Sequence, residues 1–320
     1  MPIVAKKYIT IMIFIGIYAI VTMGLCLVMG YAGQISLGHA AFSGMGAYTS
    51  AILTVKFFPW FSKWIGRPEL GSWWVWPWVA MLIGMVITGM VAYFVGMPIF
   101  RLRGHYLAMA TLAFGIIVNI AFLEFKSITG GGTGTTGVPR LAIGSFVLWP
   151  REKYYYLVWA IALIILLLSL NIVNSRVGRA LRSIHGSEVA ANTIGVNTDR
   201  YKLQILAVSG VFASIAGSLY AHYMTVVTPP PFGFLGSMEL VIMAAIGGLA
   251  SIWGAPFGAA ATILLKDTIR DTMPRLLRFA SGEHERIAYG IILVLIMIFM
   301  PEGLTFGLLR RLRSIKKRIG

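Results

Sequence analysis

Charged residues are scarce in this sequence, and acidic residues are the scarcest of them. Charged residues make up 12% of the 320 residues, whereas soluble domains carry about 25%. Hydrophobic residues reach 58%, and several mostly apolar stretches of about 18 or more residues can each cross a hydrocarbon core of roughly 30 Å. The composition therefore excludes an ordinary soluble domain and predicts an integral membrane protein.

Cysteine and catalytic motifs are also lacking. The single cysteine, Cys26, lies within a hydrophobic stretch, so an intramolecular disulfide is excluded. No Gly-Lys dipeptide occurs, which excludes a P-loop for nucleotide phosphates, and neither HExxH nor CxxC is present. The five histidines are scattered, and no Ser/His/Asp spacing indicates catalysis. We therefore predict that the chain is not an enzyme and holds no catalytic residues, no metal and no cofactor of its own.

Basic residues outnumber acidic ones by 27 to 11, which gives a net charge of +16. A nucleic-acid partner is one explanation for such a charge. However, the basic residues cluster at the ends of hydrophobic segments, which is typical of cytoplasmic loops beside anionic lipid. The clusters are Lys6–Lys7, Arg101–Arg103, Arg176–Arg182 and Arg310–Arg318. The pattern therefore predicts contact with membrane lipid and no nucleic acid.

The hydrophobic stretches predict an all-α polytopic fold with about six full transmembrane helices in one domain, residues 1–320. No linker or low-complexity segment divides the chain. The first stretch has no A-x-A-like cleavage site and is longer than a signal-peptide core, so it is taken as a span. The predicted spans are residues 8–29, 75–98, 104–125, 153–174, 203–226 and 287–304.

Two further apolar segments are rich in glycine and predict broken or re-entrant structure. Residues 30–53 carry Gln34, Ser36 and His39, which are costly to expose to lipid. Residues 236–262 form the second segment, which suggests an internal two-fold repeat, and such interrupted segments point to a transport pathway. Glu239 is a candidate pathway residue, with an interfacial anchor as the alternative. For the first segment the alternative is a tightly packed helix with a satisfied histidine.

The positions of the basic clusters predict the orientation in the membrane. Placing them inside puts both termini in the cytoplasm, including a basic tail at residues 305–320, and puts residues 57–72 and 125–152 outside. This arrangement also places the mixed-charge stretch that begins at Lys266 outside.

Residues 175–199 form the longest polar interruption in the second half of the chain. Apolar residues recur in it at spacings of three and four, beside a basic stripe that includes Arg179 and Arg182. Glycines interrupt the pattern, which predicts two short helices with a bend. The predicted apolar face comprises Val177, Leu181, Ile184, Ala191 and Ile194. We interpret this segment as a cytoplasmic contact loop; a solvated loop that only enforces topology is the alternative.

The Gly/Thr loop at residues 129–139 contains a formal G-x-G-x-x-G pattern. A dinucleotide site requires this motif between a strand and a helix, whereas here it lies between two predicted spans. We therefore predict a flexible loop at the outer mouth of the pathway, whose backbone is available to a partner or a substrate.

Several blocks together resemble the LivM-type permease of branched-chain amino acid ABC importers, in the order and spacing of that family. They are residues 30–51, 101–115, 129–139, 178–197, 216–224 and 247–259. Within residues 175–199 the pattern Glu-x-Ala-Ala-x-x-x-Gly resembles the coupling loop that docks onto a separate ATPase subunit. Its residues here are Glu188, Ala190, Ala191 and Gly195.

The resemblance implies a permease subunit in a bacterial inner membrane that works by alternating access. Its implied partners are a second related permease in a heterodimer, two ATP-binding subunits that bind the ATP, and an external substrate-binding protein. The small-molecule substrate would be a branched-chain amino acid. Motif position and buried polarity together place Gln34, Ser36, His39 and Thr111 near the pathway.

Two other functions remain open from the residues. A urea or small-amide permease of the same superfamily would share these motifs. An ion-coupled secondary transporter would need buried carboxylates at mid-membrane, and only Glu124 and Glu239 come close. A purely structural scaffold does not account for two broken segments that carry polar residues.

Overall fold

The computed structural model describes residues 2–64, 74–102, 104–144, 146–149 and 151–276, together with 290–291 and 298. This part of the chain is almost entirely helical. The helices are α1 Pro2–Cys26, α2 His39–Ile52, α3 Phe58–Trp64, α4 Trp76–Ile99, α5 His105–Glu124, α6 Lys126–Thr129, α7 Arg151–Asn174, α8 Arg176–Gly186, α9 Glu188–Thr193, α10 Thr198–Met224, α11 Phe234–Gly247 and α12 Gly254–Leu276. Two π-helical turns, Leu27–Tyr31 and Leu53–Phe57, extend α1 and α2.

Four two-residue strands are the only departure from helix and loop within the described residues. They form two antiparallel pairs: β1 Thr135–Thr136 with β4 Val226–Val227, and β2 Ala142–Ile143 with β3 Phe146–Val147.

Five helices are long and apolar enough to cross a membrane, and they match five of the six predicted spans. They are Lys7–Tyr31, Trp76–Ile99, His105–Glu124, Arg151–Asn174 and Thr198–Met224. The sixth predicted span, 287–304, and the predicted tail, 305–320, fall outside the described residues except at 290–291 and 298. The polytopic helical fold is therefore confirmed.

Helices α1 and α10 occupy the centre of the bundle. In the most apolar 18-residue window of each helix, the buried share is 83% for α1 and 67% for α10. The corresponding share for α5 is 22%. A helix that is apolar on all sides is suited to such a central position. The peripheral helices instead expose large apolar side chains, among them Phe94, Ile117 and Leu163, which suits contact with lipid.

Close backbone contact joins α10 to α2. A Cβ atom at Gly217 would lie 1.8 Å from the Ser43 carbonyl oxygen, and one at Gly46 would lie 2.3 Å from the Ser214 carbonyl oxygen. Small residues permit such packing between membrane helices, where van der Waals contact replaces the hydrophobic effect as the main attraction.

Helices α1 and α7 run in the same direction. Near the start of both helices, Nε1 of Trp159 donates a hydrogen bond to the Met12 carbonyl (3.2 Å). Beyond the end of α1, Gly33 lies against His185 of α8. We call the end of the bundle that carries α8 and α9 the loop end, and the other the far end. The chain therefore begins at the far end.

This direction corrects the predicted orientation, which placed the N-terminus and residues 175–199 on the same side of the membrane. The Lys6–Lys7 cluster suggested a cytoplasmic start, but the charge of Lys7 is compensated locally. Lys7 pairs with Asp267, at 3.0 Å, and with Asp271, both on the second half of α12. Asp267 and Asp271 thus also lie at the far end, opposite residues 175–199.

Both glycine-rich segments are interrupted, but in different ways. Residues 32–38 are not helical, and α2 begins after them at His39. In residues 236–262, α11 and α12 form a hairpin through residues 248–253, where a Cβ on Gly254 would lie 2.1 Å from the Gly247 carbonyl oxygen. In the second half of the chain, the non-helical stretch comparable to residues 32–38 is residues 225–233, just before α11. It contains only β4 and one 3₁₀ turn.

The Gly/Thr loop, which was predicted to be flexible, makes several hydrogen bonds. Its strand β1 pairs with β4, and Oγ1 of Thr135 donates to the Thr129 carbonyl (2.8 Å). The Val138 amide donates to the Thr225 carbonyl (3.1 Å). These bonds fix the loop to the far end of α10.

Replacing Gly217 by Ala is expected to destabilise the protein by about 3 kcal/mol or more, because the added methyl group meets backbone and not a flexible side chain. Thermal unfolding of the purified protein in detergent measures the change. Gly132→Ala is the control, since nothing lies within 4 Å of a Cβ there. Equal unfolding temperatures for the two variants would contradict the close contact of α2 and α10.

Candidate functional site

The start of α2 lies deep inside the bundle. Nε2 of His39 lies 2.5 Å from Oγ of Ser209, which is eleven residues into α10 and so roughly 16 Å along its axis. The whole of α10, with 27 residues, is roughly 40 Å long. The helix that follows the first break therefore begins near mid-depth and runs towards the far end.

Hydrogen bonds from the predicted pathway residues hold this break in place. The His39 ring, which is fully buried, bonds Ser36 Oγ through Nδ1 (2.9 Å) and Ser209 through Nε2. A neutral imidazole has one donor and one acceptor, so both ring nitrogens are satisfied. Thr111 Oγ1 accepts from the Leu37 amide (3.1 Å), and Gln34 Nε2 donates to the Ala32 carbonyl (2.9 Å). The structure thus combines the two predicted alternatives, since the segment is broken and its histidine is satisfied.

Helix α11 begins beside the start of α2. Ser237 Oγ accepts a hydrogen bond from the Ala40 amide (3.1 Å), and Asn119 Nδ2 donates to the Pro229 carbonyl (3.1 Å). Glu239 is directed elsewhere, because its carboxylate lies 2.9 Å from Nζ of Lys266 on α12. Glu239 therefore joins α11 to α12 and does not belong to the hydrogen-bonded group around His39.

A second buried histidine, His222, lies nearer the far end and was missed by the sequence interpretation. Nδ1 of His222 donates to the Pro139 carbonyl (2.6 Å), so Nε2 is left to accept from the Ser50 hydroxyl (2.8 Å). His222 thereby links α10, α2 and the Gly/Thr loop. Its position near the end of a predicted span was the only available signal.

The predicted two-helix form of residues 175–199 is present as α8 and α9. Serine caps begin both helices: Ser175 Oγ accepts from the Val177 amide (3.1 Å), and Ser187 Oγ accepts from the Ala190 amide (3.3 Å). Gly195, with φ of +85°, follows the end of α9. Arg179 and Arg182 are both exposed, and Arg182 donates from its guanidinium to the Val173 carbonyl near the end of α7 (2.9 Å).

The apolar face of this loop is partly as predicted. Leu181, Ile184 and Ala191 are buried, but Ile194 is 74% exposed. The prediction for Ile194 was wrong because α9 ends at Thr193, so Ile194 does not follow the helical period. Val189, which was not singled out, is 67% exposed. The loop therefore presents two large apolar side chains to its surroundings.

Glu188 is directed into the protein, where it pairs with a buried cation. Its Oε1 lies 2.6 Å from Nζ of Lys202 on α10, and the Lys202 side chain is only 2% exposed. Nζ also lies 3.4 Å from Asp199 Oδ1 and 5.6 Å from the Phe100 ring centroid. Lysine is almost never fully buried without a partner. The sequence interpretation missed Lys202, whose only signal was a cation within the first turns of a span.

Comparisons with known proteins identify the family. The model of the family described as branched-chain amino acid transport system / permease component matches residues 8–300. The permease protein LivM of Salmonella typhimurium is 30% identical over 90% of this chain and 67% of that protein. LivM of Escherichia coli is 28% identical with the same coverage, and LivH of Escherichia coli is 23% identical over 90% of each chain. No solved structure gives a significant match.

The family match confirms the resemblance seen in the sequence and assigns the chain to transport and not to enzymatic catalysis. It also agrees with the polytopic helical fold. The chain belongs to the family of permease components of branched-chain amino acid transport systems.

Proposed function

We propose that this chain is a permease subunit of an ATP-driven importer that moves branched-chain amino acids across a bacterial inner membrane by alternating access. The observation that carries the proposal is the family match over residues 8–300 of a chain whose described part has five candidate spans. The chain contains no P-loop, so separate subunits bind and hydrolyse the ATP.

Residues 175–199 are proposed to dock onto the ATPase subunit, so that its conformational change moves this loop. Val189 and Ile194 offer apolar contact to a groove on that subunit, since exposed apolar side chains grouped on a protein surface mark interaction sites. Glu188 and Lys202 then connect the loop to α10, and Lys202 also touches Phe100 beyond the end of α4. A force on α9 is therefore transmitted to two spans through one buried ion pair.

The other proposed partners are a second permease subunit and an external binding protein. In Escherichia coli, both LivM and LivH are similar to this chain over 90% of its length, which favours a heterodimer of two related permeases. An external binding protein is proposed to deliver the amino acid to the far end. A small-amide substrate is the alternative within the same superfamily. Ion coupling is less well supported, because Glu239 pairs with Lys266 and Glu124 is exposed at the end of α5.

We also propose an inverted internal repeat. In the first half, α1 reaches the loop end, and α2 starts near mid-depth and runs to the far end. In the second half, α10 reaches the far end, and α11 starts beside Ala40 and runs to the loop end. Gln34, Ser36, His39 and Thr111 then position the first break beside the pathway. This arrangement places the loop end in the cytoplasm and the N-terminus outside, while a span at 287–304 returns the tail to the cytoplasm.

The proposed function is tested by leucine uptake into vesicles that hold the chain, its partner permease and ATPases. We expect uptake only with ATP, and at least a tenfold loss for Val189→Asp and Ile194→Asp. The control is Ile143→Asp, which alters a similarly exposed side chain (55%) at the far end. Leucine uptake driven by an ion gradient without ATP would contradict the proposal and favour a secondary transporter.

Breaking the buried ion pair is expected to uncouple ATP hydrolysis from uptake. Removing Glu188 is expected to cost about 3 kcal/mol, because the buried Lys202 charge loses its nearer partner and keeps only the exposed Asp199 at 3.4 Å. We expect Glu188→Lys to insert normally but to lose ATP-driven uptake, and the double variant Glu188→Lys/Lys202→Glu to recover part of it. Asp199→Asn is the control, since Asp199 is 75% exposed. Full uptake by Glu188→Lys would rule out this link.

The proposed orientation is tested with an impermeant maleimide on intact cells. Cys26 is fully buried, so the unaltered chain gives the background. We expect labelling of Gly132→Cys and of a cysteine added before Met1, and none of Gly186→Cys; no atom lies within 4 Å of a Cβ at either glycine. Protection of the N-terminal cysteine together with labelling at position 132 would disprove the direction of α1.

A further inference from the structure

The far end of α10 is attached to the Gly/Thr loop, residues 129–139. Strand β1 of this loop pairs with β4, which follows α10 almost directly. The Val138 amide donates to the Thr225 carbonyl (3.1 Å), and Nδ1 of His222 donates to the Pro139 carbonyl (2.6 Å). The second half of the loop therefore runs along the end of α10 and is bonded to it over most of its length.

The loop also covers a buried apolar cluster. Val138 of the loop and Val227 of β4 belong to this cluster, together with Tyr48 of α2, Phe122 of α5 and Phe232. The Tyr48 ring stacks on that of Phe122, with centroids 4.3 Å apart, and lies edge-on to that of Phe232 at 6.2 Å. The segment that carries Phe232 leads from the far end of α10 to the start of α11 near mid-depth. The cluster and the loop above it thus fill the route between the far end and the two helix starts.

The strand pair that holds the loop is short, and it begins beside a strained residue. Each strand has only two residues, and an isolated pair of strands is marginally stable in water. Thr225, directly before β4, has φ of +59° and is the one non-glycine residue with positive φ in the described part of the chain. A β-branched side chain is disfavoured in this conformation. Strain of this kind is typical of switch regions.

Two glycines flank β1 at positions where the backbone can turn. Gly134 has φ of +76° and Gly137 has φ of +78°, and glycine adopts positive φ about as readily as negative φ. A Cβ at Gly134 would lie 2.0 Å from the Val227 carbonyl oxygen, so this glycine permits the close approach of β1 to β4. Nothing lies within 4 Å of a Cβ at Gly137, so packing does not restrict the chain there.

Solvent lies close to the groups that hold the loop. Thr136 of β1, Val226 of β4 and Pro139 are all exposed. Backbone donors and acceptors that separate at an exposed position can bond to water, so their separation leaves no buried polar group unpaired. The attachment of the loop to α10 can therefore be broken without the cost of opening a buried network.

We propose that the Gly/Thr loop is the far-end gate of the transport pathway and that it is closed in this structure. Opening separates β1 from β4, breaks the bond between His222 and Pro139, and withdraws Val138 from the apolar cluster. The route from the far end to the starts of α2 and α11 is then uncovered. This inference rests on the proposed function and deepens it by naming the segment that controls access on the outer side.

A reversible cross-link tests the gate in vesicles that contain the complete importer. Thr136 and Val226 lie opposite each other in the antiparallel pair, and such residues have Cα atoms about 4.5–5.5 Å apart, within the range of a disulfide. We expect oxidation of the double variant Thr136→Cys/Val226→Cys to lower ATP-driven leucine uptake at least tenfold, and dithiothreitol to restore it. Full uptake by the cross-linked protein would overturn the inference.

The matched control is Ala142→Cys/Val147→Cys, the equivalent pair in the other two-strand ribbon, β2 with β3. Its oxidation is expected to leave uptake unchanged, because this ribbon does not join the loop to α10. Cys26 is buried, so the unaltered chain gives the background. An unaltered importer that takes up no leucine would refute the proposed function, and the gate with it. A control pair that blocks uptake as strongly would also overturn the gate.

Labelling of Val138→Cys decides the question even where the cross-linked protein does not assemble. Val138 is only 2% exposed, so an impermeant maleimide reaches this position only when the loop moves. On intact cells we expect labelling at least fivefold faster during leucine transport than after depletion of ATP. Ile143→Cys is the control, since Ile143 is 55% exposed and should be labelled equally under both conditions. Equal rates at position 138 with and without transport would overturn the gate.

Discussion

A helix that stops inside a membrane protein must satisfy its freed backbone groups within the protein, and the rest of this fold depends on that constraint. The break at residues 32–38 is held by Ser36, His39 and Thr111, which bond it to α5 and α10. The Ser237 hydroxyl accepts from the free amide of Ala40, the second residue of α2. Because lipid offers no alternative partners, these few side chains decide where α2 and α11 begin.

Small residues make this internal hydrogen bonding geometrically possible. Gly217 and Gly46 bring the backbones of α2 and α10 into contact, so that short serine side chains span the remaining distance to the histidines. Ser209 reaches His39 and Ser50 reaches His222 in this way. The central helices therefore act as one unit, while α4, α5 and α7 present apolar side chains outward.

Charge acts in two different ways at the two ends of the bundle. At the far end, Lys7 is 42% exposed and pairs with aspartates of α12, so its charge is compensated without being buried. At the loop end, Lys202 is withdrawn from solvent and held by Glu188. Removing Glu188 takes the nearest partner from a charge in a low-dielectric environment, which costs free energy. The exposed pair has no such consequence.

The membrane class, five candidate spans, the first break and the two-helix form of residues 175–199 could all be predicted from the sequence. These features follow from local composition, periodicity and capping, which neighbouring residues specify. The direction of α1, the partner of Glu188, the exposure of Ile194 and the start of α11 beside Ala40 could not be predicted and are seen only in the folded structure. These depend on contacts such as Lys7 with Asp267 or Ala40 with Ser237, between residues far apart in the chain. No local pattern encodes such contacts, because the pairing of helices is set by shape and charge compensation across the whole bundle.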